Sequence, residues 1–280
     1  MDSALIASIA VLTAPLLFAA LGGLLSERAG VMNIALEGMM LTGACIAAIV
    51  GIETGSAFTG LAAGVVSAIL VNLLHAVLTQ AYRIDHIVSG MAINLLALGG
   101  TNYLLRSSTS WSTERPPVLE GWVYWPLSII AVAVLTVYLV RTRGGLRLLA
   151  VGNDPDKARL AGIEPAHVRY LALIGTGVLT GLAGVALISN AGGFVDGMTA
   201  GRGYIALAAL ILGAWRVLPT LLACTFFGVL FALQIQLQGA GIGGYEIPKE
   251  FWLALPYIAT LAALAGLVGK GKAPAGLGKP

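Results

Sequence analysis

A chain of 280 residues with 58% hydrophobic and only 10% charged side chains is too apolar for a soluble domain, where about 45–50% apolar is usual. Its mean hydropathy of +0.91 places it in a bilayer. A net charge of +3 is no surplus for a nucleic-acid partner, and in a membrane protein it carries meaning only through where the cations lie.

A helix rises about 1.5 Å per residue, so about 20 apolar residues cross a hydrocarbon core of about 30 Å. The stretches 4–25, 31–52, 57–80, 87–105, 124–140, 170–190, a broken stretch 204–236, and 252–268 qualify. That predicts eight spans, or nine if the broken stretch crosses twice. The period-2 alternation of a membrane barrel is missing from them. The fold class is therefore an all-α, polytopic membrane helix bundle of about 8–9 transmembrane segments with broken or re-entrant helices. The first stretch is a span and not a signal peptide, because no cation precedes it, Asp2 has the wrong charge and the apolar run is too long. Cys45 and Cys224 fall inside apolar runs and act as small hydrophobes, which leaves no disulfide framework and no metal set.

Between the first two stretches, Ser26, Glu27, Arg28 and Gly30 break the apolar rhythm at 26–33. Asn33 and Glu37 follow, four apart and so on one face of the predicted helix. A carboxylate facing lipid costs roughly 2.5–3.5 kcal/mol on insertion scales, so that face turns toward protein or a wet cavity. Two readings stand for Glu37: a place on a solute path, or an internal joint with a partner such as Arg28, Asn72 or a backbone group.

In the third stretch Gly60, Gly64 and Ala68 repeat at four-residue spacing, as Gly177 and Gly181 do later, which suits close helix packing. The same stretch carries Asn72, His75 and Thr79 as a polar stripe, and Asn94 lies in the fourth. Asn33, Glu37, Asn72, His75 and Asn94 are thus the substrate-path candidates, able to donate to and accept from a polar, uncharged solute. Taken singly, each amide or imidazole is equally read as glue between helices. His75 has no second His or Cys at ligand spacing, so no metal is expected.

The segment 106–123 is poor in cations and rich in Trp, as an outer interfacial loop would be. By contrast Arg141, Arg143, Arg147, Lys157, Arg159 and Arg169 crowd the loop 141–169, and Lys270, Lys272 and Lys279 occupy the tail, so both face the cytoplasm by the positive-inside bias. Counting back puts the N-terminus outside. Counting forward puts the tail inside only if 204–236 crosses twice, which we take as the expectation.

Within the basic loop, "VGNDPDKARLAGI" (151–163) is a short helix with its punctuation: Asp154 as N-cap, Pro155 at the first helical position, Asp156 in the first turn, Gly162 as the stop. Alone in water so short a helix is marginal, so something must hold it. Ala158, Leu160, Ala161 and Ile163 suit a knob for another protein's groove; the competing reading is a helix resting on lipid headgroups.

A second break at 213–219 (Gly213, Trp215, Arg216, Pro219) leaves only about a dozen apolar residues before it, the length of a half-helix. "GVMNIAL" (30–36) and "GRGYIAL" (201–207) resemble each other, and repeated broken helices frame the substrate path in transporters. Residues 1–268 form one transmembrane domain; 269–280 is a flexible basic tail without a Gly-x-x-x-x-Gly-Lys-Ser/Thr loop. No Ser/His/Asp or Cys/His arrangement is supported, so no catalytic residue, cofactor or metal is expected in this chain.

"LGGLLSERAGVMNIALEGMMLTGA" (21–44), the 151–163 segment, and "GRGYIALAALILGAW" with "FFGVLFALQIQLQ" (201–238) resemble the permease subunits of bacterial ABC importers for nucleosides. That family lies within the larger group for branched-chain amino acids and simple sugars, and the likeness runs from about residue 5 to 268. The resemblance implies the shorter of two permeases in the cytoplasmic membrane. It implies three protein partners: a second, longer permease, a cytoplasmic ABC ATPase that holds the ATP and Mg, and an extracytoplasmic substrate-binding protein. It assigns Gly152, Asn153, Asp154, Ala158, Gly162 and Ile163 to the segment that contacts the ATPase, with Asn153 where many relatives carry Glu. The expected function is ATP-driven translocation of nucleosides or related small polar solutes. The alternatives are a permease for simple sugars or branched-chain amino acids, an ion-gradient-driven transporter resting on Glu37 and His75, and a channel or structural subunit.

Overall fold

Long apolar runs with no water to satisfy their backbone close their hydrogen bonds within helices, and the computed structural model is built accordingly. It describes residues 3–108, 111, 114–237, 241–242, 245–246, 248–267 and 272–279. The helices are α1 (Ser3–Arg28), α2 (Leu36–Thr54), α3 (Ala57–Ala76, extended by a π-helical stretch Val77–Ala81), α4 (His86–Ser107), α5 (Tyr124–Arg141), α6 (Arg143–Asn153), α7 (Pro155–Leu160), α8 (Pro165–Ala191), α9 (Arg202–Leu212), α10 (Val217–Leu237) and α11 (Lys249–Leu267). Beyond helix, the described residues hold one short 3-10 turn (Gly121–Val123) and a hairpin of two-residue strands, Gly241–Ile242 with Tyr245–Glu246. Seven helices are long and apolar enough to span, with α9 and α11 as shorter apolar pieces.

The predicted break at 204–236 is real and asymmetric. The half-helix α9 has 11 residues, α10 has 21, and the turn between them holds Ala214 and Trp215 at positive φ. α9 is too short to span alone, and the turn-rich stretch 192–201 leads into its start. With the seven, the two shorter pieces make nine apolar helices among the described residues.

Small residues let the helices touch backbone to backbone. A Cβ added at Gly64 of α3 would lie 2.6 Å from the Gly43 carbonyl oxygen of α2. One added at Gly181 of α8 would lie 2.6 Å from the Val65 Cα of α3. The four-residue glycine spacing therefore marks the central packing of α2, α3 and α8. Cys45 and Cys224 are buried free thiols.

Two expectations need correction. Asn33 does not share a helix face with Glu37, because α2 begins only at Leu36 and Asn33 lies in the extended stretch before it. Within that stretch the backbone bonds to the end of α1 and to side chains: Val31 N–H donates to the Ser26 carbonyl at 3.0 Å, and Met32 N–H to His86 Nδ1 at 3.0 Å.

The tail is also not free. Gly276 N–H donates to the Gly152 carbonyl at 2.9 Å and Gly278 N–H to the Gly30 carbonyl at 2.9 Å, with Pro274 and Gly276 buried. Glycine at 276 permits the approach, since an added Cβ would stand 2.8 Å from the Gly152 oxygen. The domain boundary expected at 268/269 and Lys270 lie outside the described residues. We expect the Gly276 and Gly278 amides to exchange hydrogen at least about tenfold more slowly than a free chain; exchange at the free-chain rate would mean that this contact does not persist.

Candidate functional site

The two interrupted helices meet. A carboxylate is the natural partner for the unpaired N–H groups and positive dipole end at a helix start, and Glu37 of α2 supplies it to α9. Its Oε1 accepts from Gly201 N–H at 2.7 Å and its Oε2 from Gly203 N–H at 2.6 Å. Only glycine fits at 203, where a Cβ would stand 2.5 Å from the Glu37 nitrogen.

The start of α2 is served in turn by Asn94 of α4, whose Oδ1 accepts from Gly38 N–H at 2.8 Å. Its Nδ2 donates to the Ile34 carbonyl at 3.0 Å and to the Tyr204 hydroxyl at 2.9 Å. Tyr257 of α11 closes the group by donating to the Ala200 carbonyl at 2.6 Å. Arg202 stands beside them, over the Phe231 ring at 5.1 Å.

The junction lies deep. Asn94 is about 12 Å along α4 from His86 and about 20 Å from Ser107, and Tyr257 is about 12 Å and 15 Å from the ends of α11, taking helix rise. Yet it is not sealed: Tyr204 and Tyr257 are each 43% exposed and Glu37 and Asn94 are partly so. The same face continues outward to Asn102, which donates to Asp196 at 2.5 Å. Polar groups open at this depth cannot face hydrocarbon at equilibrium; they face water, solute or another polar protein surface.

The five path candidates thus divide. Glu37 and Asn94 belong to the open junction. Asn33, Asn72 and His75 have no exposed surface. Asn33 donates to Asn72 Oδ1 at 3.1 Å and Asn72 to Thr180 at 3.5 Å. His75 joins Ser89 at 2.9 Å and the Met32 carbonyl at 3.1 Å, fixing the extended 29–35 stretch to α3 and α4. Asn72 and His75 are joints because the stripe of α3 that carries them points into the bundle, and Asn33 is joined to that stripe through Asn72. Tyr204, Arg202 and Tyr257 went unread in the sequence. The first two lie inside the "GRGYIAL" segment, where a polar pair at a half-helix start was the available signal.

The other candidate region is the basic end, where Arg28 ends α1, Arg141 ends α5, and Arg143 and Arg147 lie in α6 ahead of α7. Thr142 caps α6 by accepting from Gly145 N–H at 3.0 Å, and this helix has no counterpart among the elements expected from the sequence. Asp154 caps α7 through the Lys157 N–H at 3.0 Å and pairs with the Lys157 ammonium at 3.0 Å. Those contacts, the backbone bond first, hold its carboxyl below the usual carboxylate range. Because the folded value is depressed, the cap's contribution is complete above the ordinary Asp value of about 4 and fades only as pH falls through the lower one.

Gly162, at φ +78°, ends α7: its N–H reaches the Arg159 carbonyl and the Ile163 N–H the Ala158 carbonyl, both at 3.0 Å, the paired bonds of a left-handed stop. Ala158 faces inward at 4% exposure while Leu160 is 89% exposed. The outward knob is therefore Leu160 with Asn153, Ala161 and Gly162, and Ala158 seats it. Gly152, near the end of α6, abuts the Arg28 carbonyl, so α6 rests on the end of α1, and the docked tail lies against Gly152 and Pro155 at the start of α7.

The profile of the family described as branched-chain amino acid transport system / permease component matches residues 5–264. The guanosine ABC transporter permease protein NupQ of Bacillus subtilis is 36% identical, covering 96% of this chain and 93% of its own length. The nucleoside ABC transporter permease protein NupC of Lactococcus lactis subsp. cremoris is 33% identical, covering 96% and 94%. A solved structure of a metal-chelate type ABC transporter in an inward-facing conformation shares the fold, with a TM-score of 0.53 at 14% identity over 92% of this chain and 84% of that one.

Proposed function

This chain belongs to the family of branched-chain amino acid transport system permease components, and from that premise we propose that it is the membrane subunit of an ATP-driven importer for nucleosides. The single observation that carries the reading is the half-open polar junction at mid-depth, where Glu37 joins the starts of α2 and α9. Amide, phenol and carboxylate groups there offer the mixed donors and acceptors that a base and a ribose require. The guanosine and nucleoside permeases among its relatives support the same solute class.

One chain supplies one wall. The exposed face of α4, α9 and α11 is completed by a second permease, and the path runs between the two. An extracytoplasmic binding protein delivers the solute, and a cytoplasmic ABC ATPase binds the Leu160 knob. The chain itself hydrolyses nothing. It needs two arrangements with different contacts in each, and the Glu37 carboxylate, shared by two helix starts, is a contact that can be made in one and loosened in the other.

Coupling is tested by two substitutions in α7 in the complete assembly reconstituted in vesicles. Asp154→Lys removes the cap and Gly162→Pro cannot adopt the positive φ of the stop. Each is expected to reduce ATP-driven uptake of radiolabelled guanosine about tenfold or more while membrane insertion and basal ATP hydrolysis continue. Normal uptake in both variants would remove α7 from the coupling role. Uptake that runs without ATP and collapses with the proton gradient would overturn the ATP-driven reading, and competition by ribose or leucine but not by guanosine would overturn the solute.

A further inference from the structure

A large apolar groove lies away from the polar junction. It measures about 450 Å³ and runs between α1, α5 and α8, lined by Phe18 and Leu25, Ile130 and Val134, Leu171 and Val178. None of these helices contributes a side chain to the open junction, and apart from the Tyr138 hydroxyl the lining offers a solute nothing to bond. A nucleoside would lose its hydrogen bonds here, so the groove is not a second solute site.

Its position is specific. From Leu127 to Tyr138 along α5 is about 16 Å by helix rise, half of a hydrocarbon core of about 30 Å, and Tyr138 is one turn from Arg141 at the inner end. The groove therefore opens one turn from the inner end of α5 and runs past mid-depth, and on α1 its lining residues Phe18 and Leu25 lie in the half of the helix nearer Arg28. Arg141 ends α5 one turn beyond the groove residue Tyr138 and Arg143 begins α6; both are exposed, and neither takes part in the two ion pairs of the described residues. Thr142 between them is turned to capping α6, which holds the two guanidinium groups at the junction of a spanning helix and an amphipathic one.

From this geometry we propose a binding site for an inner-leaflet acidic phospholipid. One acyl chain fills the groove of α1, α5 and α8, and the phosphate is held by Arg141 and Arg143. Basic positions beside an interhelical groove on the cytoplasmic side are where anionic headgroups bind, and a chain seated between helices replaces bulk lipid packing with fixed contacts. The lipid would tie α5, otherwise peripheral, to α1 and to the arm that carries α7. The site depends on membrane crossing and orientation alone, and stands whatever the solute proves to be.

The test uses the full-length chain, delipidated in mild detergent and offered phosphatidylglycerol or phosphatidylcholine of identical chains, with bound lipid counted by native mass spectrometry. The wild type is expected to retain one phosphatidylglycerol at about tenfold or more over phosphatidylcholine. The double variant Arg141→Gln, Arg143→Gln should lose that preference. Ala131→Phe, which fills the groove, should lose the bound lipid, and Val134→Trp at a largely exposed position tests the same space if the first variant folds poorly. Val137→Phe, on the lipid-facing side of α5, should bind as wild type. Equal retention of the two lipids by the wild type, an unchanged preference in the arginine variant, or undiminished binding in the groove-filled variants would overturn the proposal.

Discussion

Exchange of Glu37 for Leu is expected to abolish transport while leaving most of the bundle folded. The carboxylate accepts from two backbone N–H groups, at 2.7 Å from Gly201 and 2.6 Å from Gly203, and Leu leaves both donors without a partner beside a helix start. Each orphaned donor costs about 1–3 kcal/mol, so the junction of α2 and α9 loses about 2–6 kcal/mol. That exceeds the few kcal/mol that separate two working conformations of a protein. The loss falls on the coupling between the two broken helices more than on the core, which α2, α3 and α8 supply.

Glu37→Gln should be intermediate. Its single carbonyl oxygen serves one donor, and its NH₂ group meets the other head-on. Uptake of guanosine by the reconstituted assembly, read beside thermal unfolding in detergent, separates the two effects. Full uptake by the Leu variant would show that the junction is an inert joint.

Substitution of Gly64 by Leu should do the opposite, removing the folded protein altogether. Its first added carbon alone would stand 2.6 Å from the Gly43 oxygen and 2.8 Å from the Ala47 Cβ, with Val185 of α8 at 3.1 Å. Backbone on one side and a second helix on the other leave no rotamer for the remaining three carbons. Overpacking of a well-packed core costs about 1–3 kcal/mol and occasionally more; a wedge at the meeting of three helices belongs at or above the top of that range.

Gly99→Leu is the matched control. Nothing lies within 4 Å of a Cβ added there, so the same change in mass and helix propensity meets open space. The monodisperse fraction recovered on size exclusion should collapse for the first variant and hold for the second. Equal recovery would mean that α2, α3 and α8 can separate without penalty.

Much of this was readable in the chain because membrane insertion is governed by local terms. Length and apolarity alone set the spans, and the break at 213–219 marked where the apolar stretch 204–236 divides into two helices. The four-residue spacing at Gly60 and Gly64 marked the close packing, while Asp154, Pro155 and Gly162 wrote the start and stop of α7 residue by residue. Each of these signals lies within a few positions of its effect, so no tertiary information was needed.

What only the tertiary structure decided is where polar side chains point and what they meet. Asn33 and Glu37 look equivalent in sequence, four apart. The late start of α2 sends one into a sealed bond with Asn72 and the other 164 positions along the chain to Gly201. The stripe of Asn72, His75 and Thr79 was visible, but whether it faced a cavity or a neighbouring helix was not. The tail of glycines and lysines resembled free chain until Gly30 and Gly152 were brought beneath it. Composition fixes a residue's cost in lipid, but the partner that meets that cost is a matter of three-dimensional approach between distant segments. For Glu37 that partner is the start of a half-helix, which no spacing within the chain could reveal.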